Sequence, residues 1–134
     1  MTDTNTPSKK PQIVHWVCFT LLFLMMAQPT FDNIVGLVTG TIKMGEVTLD
    51  VTFSKMILHI IAMTVGWVGL GLFFKRRKLG AYVSIVAHLL GFTAAMTQTP
   101  EMLEAMPPAA IAVFFVVLFA ATLGPIFAFK ESYS

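Results

Sequence analysis

Residues 54–98 read SKMILHIIAMTVGWVGLGLFFKRRKLGAYVSIVAHLLGFTAAMTQ. Two long apolar runs flank one basic knot, Lys75-Arg76-Arg77-Lys78, and that arrangement decides the fold. An α-helix rises about 1.5 Å per residue, so roughly 20 apolar residues cross the ~30 Å hydrocarbon core of a bilayer. Ser54 to Phe74 and Ala81 to Gln98 approach that length, and the loop between them at 75–80 is tight enough to force an antiparallel hairpin. A Lys/Arg cluster between two such spans marks the cytoplasmic side.

Outward from this hairpin the pattern repeats. Ala109 to Phe129 is a further span, with Gly124-Pro125 expected to kink its end and Lys130 closing it. On the other side, an apolar run starts near Ile13 and passes through Leu21-Leu22-Phe23-Leu24 to Ala27. Gln28, Pro29, Asp32 and Asn33 then interrupt it, so the first span is placed at about 13–33. Proline removes a backbone hydrogen bond, and polar residues around it hydrate more easily at an interface than at mid-depth. Either the helix continues past Pro29 with a kink or it ends there, and an end or sharp bend between Gln28 and Asn33 is the favoured reading. Between the first two spans, Glu46 to Phe53 alternates polar and apolar, the period of an extended segment, and Met44-Gly45 suits a turn. A small external loop or hairpin is expected there. Glu101 to Pro108 reads as a solvated loop bearing Glu101 and Glu104.

Composition agrees. Of 134 residues, 56% are hydrophobic and 12% charged, with mean hydropathy +0.78. Soluble domains carry about 25% charged residues, so this chain has too little polar surface to cover a water-soluble globule. Residues 1–12 lack the order of a cleavable signal peptide and read as a flexible cytoplasmic tail before an uncleaved anchor. Residues 131–134 read as a second cytoplasmic tail. Seven basic residues fall on the inner side (Lys9, Lys10, Lys75, Arg76, Arg77, Lys78, Lys130) and two, Lys43 and Lys55, on the outer side. Trp16 and Tyr82 fall at the inner boundary, where amphipathic rings favour the interface. The expected fold is an all-α, four-transmembrane-helix bundle with both termini cytoplasmic, in a membrane of bacterial inner-membrane type.

The residues that could carry chemistry are few. Cys18 is the single cysteine, which excludes an intrachain disulfide and a cysteine-built metal site; it reads as a small apolar residue. His15, His59 and His88 fall one in each of the first three spans. His59 and His88 are the candidate cofactor ligands, for a haem or quinone. His59 precedes Lys75 by 16 residues and His88 follows Lys78 by 10. Those separations correspond to depths of about 24 Å and about 15 Å, a poor match for two ligands of one iron. The plainer reading is that both histidines bridge helices by hydrogen bonds. No Asp or Glu lies at mid-depth in the last three spans, and Asp32, with Gln28, is the polar candidate of the first. The nine methionines read as adaptable packing rather than a metal ligand set.

Small residues give the clearest signal. Ala62, Gly66 and Gly69 mark the second span, Ser84, His88, Gly91 and Ala95 the third, and Ala112, Ala120, Gly124 and Ala128 the fourth. Such stripes let helix backbones approach closely in lipid. They serve the bundle interior or the docking of another subunit. Phe114, Phe115, Val117, Leu118 and Phe127, on the other side of the fourth span, read as lipid-facing or partner-facing.

The layout of four spans, a longer first external loop and a short basic middle loop is similar to that of many small bacterial membrane proteins, DoxX-like ones among them. The similarity covers the whole chain as layout, without a motif, and implies no residue roles. The leading expectation is a non-catalytic accessory or assembly subunit of a larger membrane complex, of bioenergetic or photosynthetic type. A small oligomeric transporter or channel, whose polar path has Gln28, Asp32, Ser84, His88 and Thr93 as its candidates, and a haem- or quinone-binding electron-transfer subunit using His59 and His88 are the alternatives. The partners expected are the lipid bilayer and other membrane subunits or further copies of the chain; nothing points to nucleic acid, and no cofactor is specified.

Overall fold

A computed structural model describes residues 9–134; the expected tail at 1–8 lies outside the described residues. Five α-helices and one two-stranded sheet make up the fold: α1 (Lys10–Thr39), β1 (Thr41–Met44), β2 (Val47–Asp50), α2 (Phe53–Phe74), α3 (Lys78–Gln98), α4 (Pro100–Glu104) and α5 (Pro108–Ala128). Helices α1, α2, α3 and α5 are each long and apolar enough to cross a membrane.

The α2–α3 hairpin is the centre of the bundle, and glycine makes it tight. A methyl group at Gly69 would lie 2.7 Å from the Ser84 amide nitrogen, and one at Gly80 would strike the Phe73 backbone. The connection is only Lys75–Arg77, with Arg76 forced to φ 58°.

Helix α1 departs from the favoured of the two courses left open at Pro29. It runs unbroken through Pro29 to Thr39, 30 residues or about 45 Å, rather than ending between Gln28 and Asn33. It also takes in residues 10–12 of the expected tail. Side-chain bonds meet the demand for hydration around Pro29. Thr30 Oγ1 donates to the Met26 carbonyl at 2.6 Å, and Trp67 Nε1–H on α2 donates to Thr30 Oγ1 at 3.0 Å. The Gln28 amide reaches both Asp32 carboxylate oxygens at 3.2 and 3.3 Å. Helix α5 likewise continues through Pro125, which is buried, to Ala128.

The expected hairpin is present. Met44 pairs with Val47 and Thr41 with Asp50, across a two-residue turn whose Gly45 has φ 62°. Ile42, Leu49 and Val51 bury themselves with Met56 of α2 in a small core at this end. Gly40, at φ 78°, caps α1 and passes the chain into β1.

The opposite, basic end holds the larger core, built from Leu22, Leu70, Phe73, Ala81, Leu118, Ala121, Ile126 and Tyr133. Residues 131–134 are not a loose tail. After a 3-10 turn at Lys130–Ser132, Tyr133 is buried, the Ser134 N–H donates to the Arg76 carbonyl at 3.0 Å, and the Lys78 N–H donates to the Ser134 carbonyl at 2.8 Å. The chain end is therefore stitched across the basic loop. Leu118 is a second correction: it is fully buried, and Phe114 and Phe115 are half-buried, so that side of α5 turns inward. Phe127 is exposed, as expected.

Candidate functional site

Between the two cores lies a cavity of about 340 Å³. Its walls come from α1, α2, α3 and α5, and Met44 of β1 with Met102 and Leu103 of α4 lines it from the hairpin end. Five of the nine methionines line it: Met26, Met44, Met63, Met102 and Met106. Phe92, Phe114 and Phe115 add rings in edge-to-face contact, with centroids 5.3 Å (Phe92–Phe115) and 5.7 Å (Phe114–Phe115) apart. No sequence spacing announced this gathering, because each contributor sits on a different element.

His59 and His88, candidates from the sequence, both line this cavity despite their unequal depths. His59 is buried, and its Nε2 lies 3.0 Å from Thr99 Oγ1, a bond joining α2 to the end of α3. That is the helix-bridging role expected of it. His88 makes no hydrogen bond to another helix among the described residues. Its Nδ1–H donates 2.7 Å to the Ser84 carbonyl one turn back on the same helix. A carbonyl only accepts, so the neutral ring keeps its lone pair on Nε2. That nitrogen is enclosed in protein with no hydrogen-bond partner, and the ring packs against Phe114 at 5.6 Å. For a bis-histidine haem, His59 Nε2 would have to leave Thr99.

The polar candidates scatter. Asp32 lines the cavity, tied to Gln28. Ser84 Oγ is sealed against the Gly69 backbone without a partner, and Thr93 is exposed, spending its hydroxyl on the Leu89 carbonyl. Sequence reading passed over Asn33 as part of a helix-breaking cluster. In the fold it is 5% exposed and lines the cavity, and its amide has no hydrogen bond among the described residues. Among the described residues, no group of three or more His, Cys, Asp or Glu side chains is placed to hold a metal ion.

The small-residue stripes divide into two kinds. Ala62, Gly66, Gly91 and Ala95 are spent inside: Gly66 faces Met26 and Ala87, Gly91 faces Ala62, and Ala95 is buried. Gly69 is occupied by Ser84. On α5, Ala112, Ala120, Gly124 and Ala128 are all exposed, and nothing lies within 4 Å of a methyl group placed at Gly124.

At the basic end, His15 is wholly buried, stacked on Phe73 with ring centroids 5.1 Å apart. Its Nδ1 shares a 2.7 Å hydrogen bond with the Tyr133 hydroxyl. Burial pushes the Tyr133 hydroxyl up to about 12, with Arg76 pulling the other way. Sequence reading missed this pair because its members are separated by nearly the full chain. Cys18, half-buried, packs against the same core.

Comparison with known protein families, with characterised proteins and with solved structures finds no match.

Proposed function

We propose that this chain is a multi-pass protein of a bacterial inner membrane, with the basic end and both termini cytoplasmic, and that it acts as a non-catalytic subunit docking another membrane protein through α5. The orientation rests on the inner-side excess of Lys and Arg. The observation that carries the docking role is the outward stripe Ala112, Ala120, Gly124 and Ala128. In lipid the hydrophobic effect does not drive helices together, so close backbone approach at small residues is the main source of association energy. The bundle spends its other stripes on itself and leaves this one open.

The test is co-purification from native membranes in mild detergent. A partner should appear in fixed stoichiometry. Gly124→Leu and Ala120→Leu should abolish the association while leaving the thermal midpoint of the isolated chain within a degree or two, since neither site is packed internally. Val38→Leu, exposed on α1 and away from this stripe, should preserve it. Recovery of the chain alone, or equal partner yield from all variants, would sink the docking role.

A second reading has one observation behind it. The cavity shared by His59 and His88 is where a haem- or quinone-binding electron-transfer subunit would hold its cofactor. A small transporter needs a continuous polar route; Thr93 is exposed and the Ser84 hydroxyl is sealed, which leaves Gln28, Asp32, Asn33 and His88 to supply one.

A further inference from the structure

Asn33 is the anomaly from which the chemistry of this cavity can be read. Its side chain is 95% withdrawn from solvent (5% exposed), carries two donors and an acceptor, and has no hydrogen bond among the described residues. A polar group left unpaired in an apolar site is unfavourable, so a ligand that supplies a partner gains by it. Its amide atoms are not among the polar atoms sealed inside protein, which are those of His15, Ser84 and His88. Asn33 is thus buried, unpaired and not sealed, and it stands in the wall of the cavity, where a bound molecule can supply the missing partner.

The rest of the lining narrows the occupant. Among the described residues no Lys or Arg lines the space, so a carboxylate or phosphate finds no counter-charge there. Asp32, the one acid among the described lining residues, already accepts from Gln28. The walls are thioether and phenyl groups, which adapt to flat apolar rings. At about 340 Å³ the space sits at the lower end of small-molecule sites, which run from about 300 to 1,000 Å³. It suits a ring head rather than a whole long-tailed lipid.

We propose that this cavity binds a neutral, lipid-soluble ring compound bearing a carbonyl or hydroxyl, a quinone in chemical class, with the Asn33 amide hydrogen-bonding its head. The inference deepens the second reading above and does not depend on docking through α5. An amide donates to the carbonyl of the oxidised form and both donates to and accepts from the hydroxyl of the reduced form, so Asn33 serves either.

The full-length protein in detergent provides the test. Trp67 reports on the cavity because its indole N–H bonds Thr30, a lining residue; Trp16→Phe removes the only other tryptophan. Decylubiquinone should quench Trp67 saturably. Decylbenzene, with the same tail and no oxygen, should compete at least tenfold less well. Asn33→Leu, close in volume, should lose about tenfold in quinone affinity. If that variant does not fold, the wild-type preference for the quinone over decylbenzene decides alone. Equal competition by decylbenzene, or undiminished quinone binding by a folded Asn33→Leu protein, overturns the proposal. Haemin or tetraphenylphosphonium binding in place of the quinone also overturns it while leaving the cavity a binding site. Failure of every probe to bind saturably removes the second reading as well.

Discussion

Gly69 and Gly71 lie two residues apart on α2 and answer to opposite forces. A Cβ at Gly69 meets the Ser84 backbone at 2.7 Å, whereas a Cβ at Gly71 meets nothing within 4 Å. Backbone cannot step aside as a flexible side chain can. Gly69→Ala should therefore destabilise by about 1–3 kcal/mol through overpacking. Gly71→Ala should be neutral or stabilising by up to about 1 kcal/mol, because alanine favours helix. Thermal unfolding in one detergent compares the two directly. The Tyr133–His15 bond gives a second residue-scale test. Tyr133→Phe leaves the His15 nitrogen buried and unpaired and should cost about 1–3 kcal/mol. The phenol's pKa in the fold, about 12, stands above its ordinary value near 10. The neutral form is thus the one the fold prefers. Its contribution is complete below pH 10 and is lost as pH rises through about 12. Difference absorbance near 295 nm between wild type and Tyr133→Phe should show that late titration; a midpoint at 10 would contradict the buried clasp. The histidines were visible in the sequence as candidates, since three such residues in apolar runs draw notice. Asn33 and Tyr133 were not, because what singles them out is burial without a neighbour in sequence to explain it.

At the scale of elements, the α2–α3 hairpin and its basic turn were legible because length, hydropathy and charge all point the same way. The course of α1 was not. Proline and a polar cluster normally end a helix, but Thr30, Trp67 and Asp32 satisfy those groups with partners three or four residues away or on α2. The Trp67–Thr30 bond, between residues 37 apart in sequence, leaves no periodic trace. The inward turn of Leu118 was likewise hidden, since α5 is apolar on every side and has no polar face to orient it. The β1–β2 hairpin is a separable element. It is held by Ile42, which packs on Gly36 at the end of α1, and by Leu49 and Val51. Ile42→Ala should remove about 2–5 kcal/mol of local packing. Hydrogen exchange should then rise across residues 41–50 and leave α2 and α3 protected. Loss of protection in the α2–α3 hairpin as well would mean that the two ends of the bundle form one cooperative unit.

At the scale of the whole molecule, the distribution of surface is the decisive quantity. Val38 is 80% exposed, Val116 67% and Phe31 64%, and these belong to broad apolar faces on α1 and α5. Water would penalise that area at roughly 25 cal/mol per Å², whereas lipid would not. The exposed mid-helix threonines Thr20, Thr64 and Thr93 donate their hydroxyls to carbonyls one turn back on their own helices, and backbone groups are satisfied within helices, as a hydrocarbon solvent demands. The measurement that tests this most directly is cysteine labelling in a Cys18→Ser background, using a membrane-impermeant maleimide on intact cells. Glu46→Cys, in the hairpin turn, should label at once, and Arg77→Cys, in the basic loop, only after permeabilisation, with the protein staying in the membrane through carbonate extraction. Labelling of Arg77→Cys in intact cells, or recovery of the chain in the soluble fraction, would contradict the account.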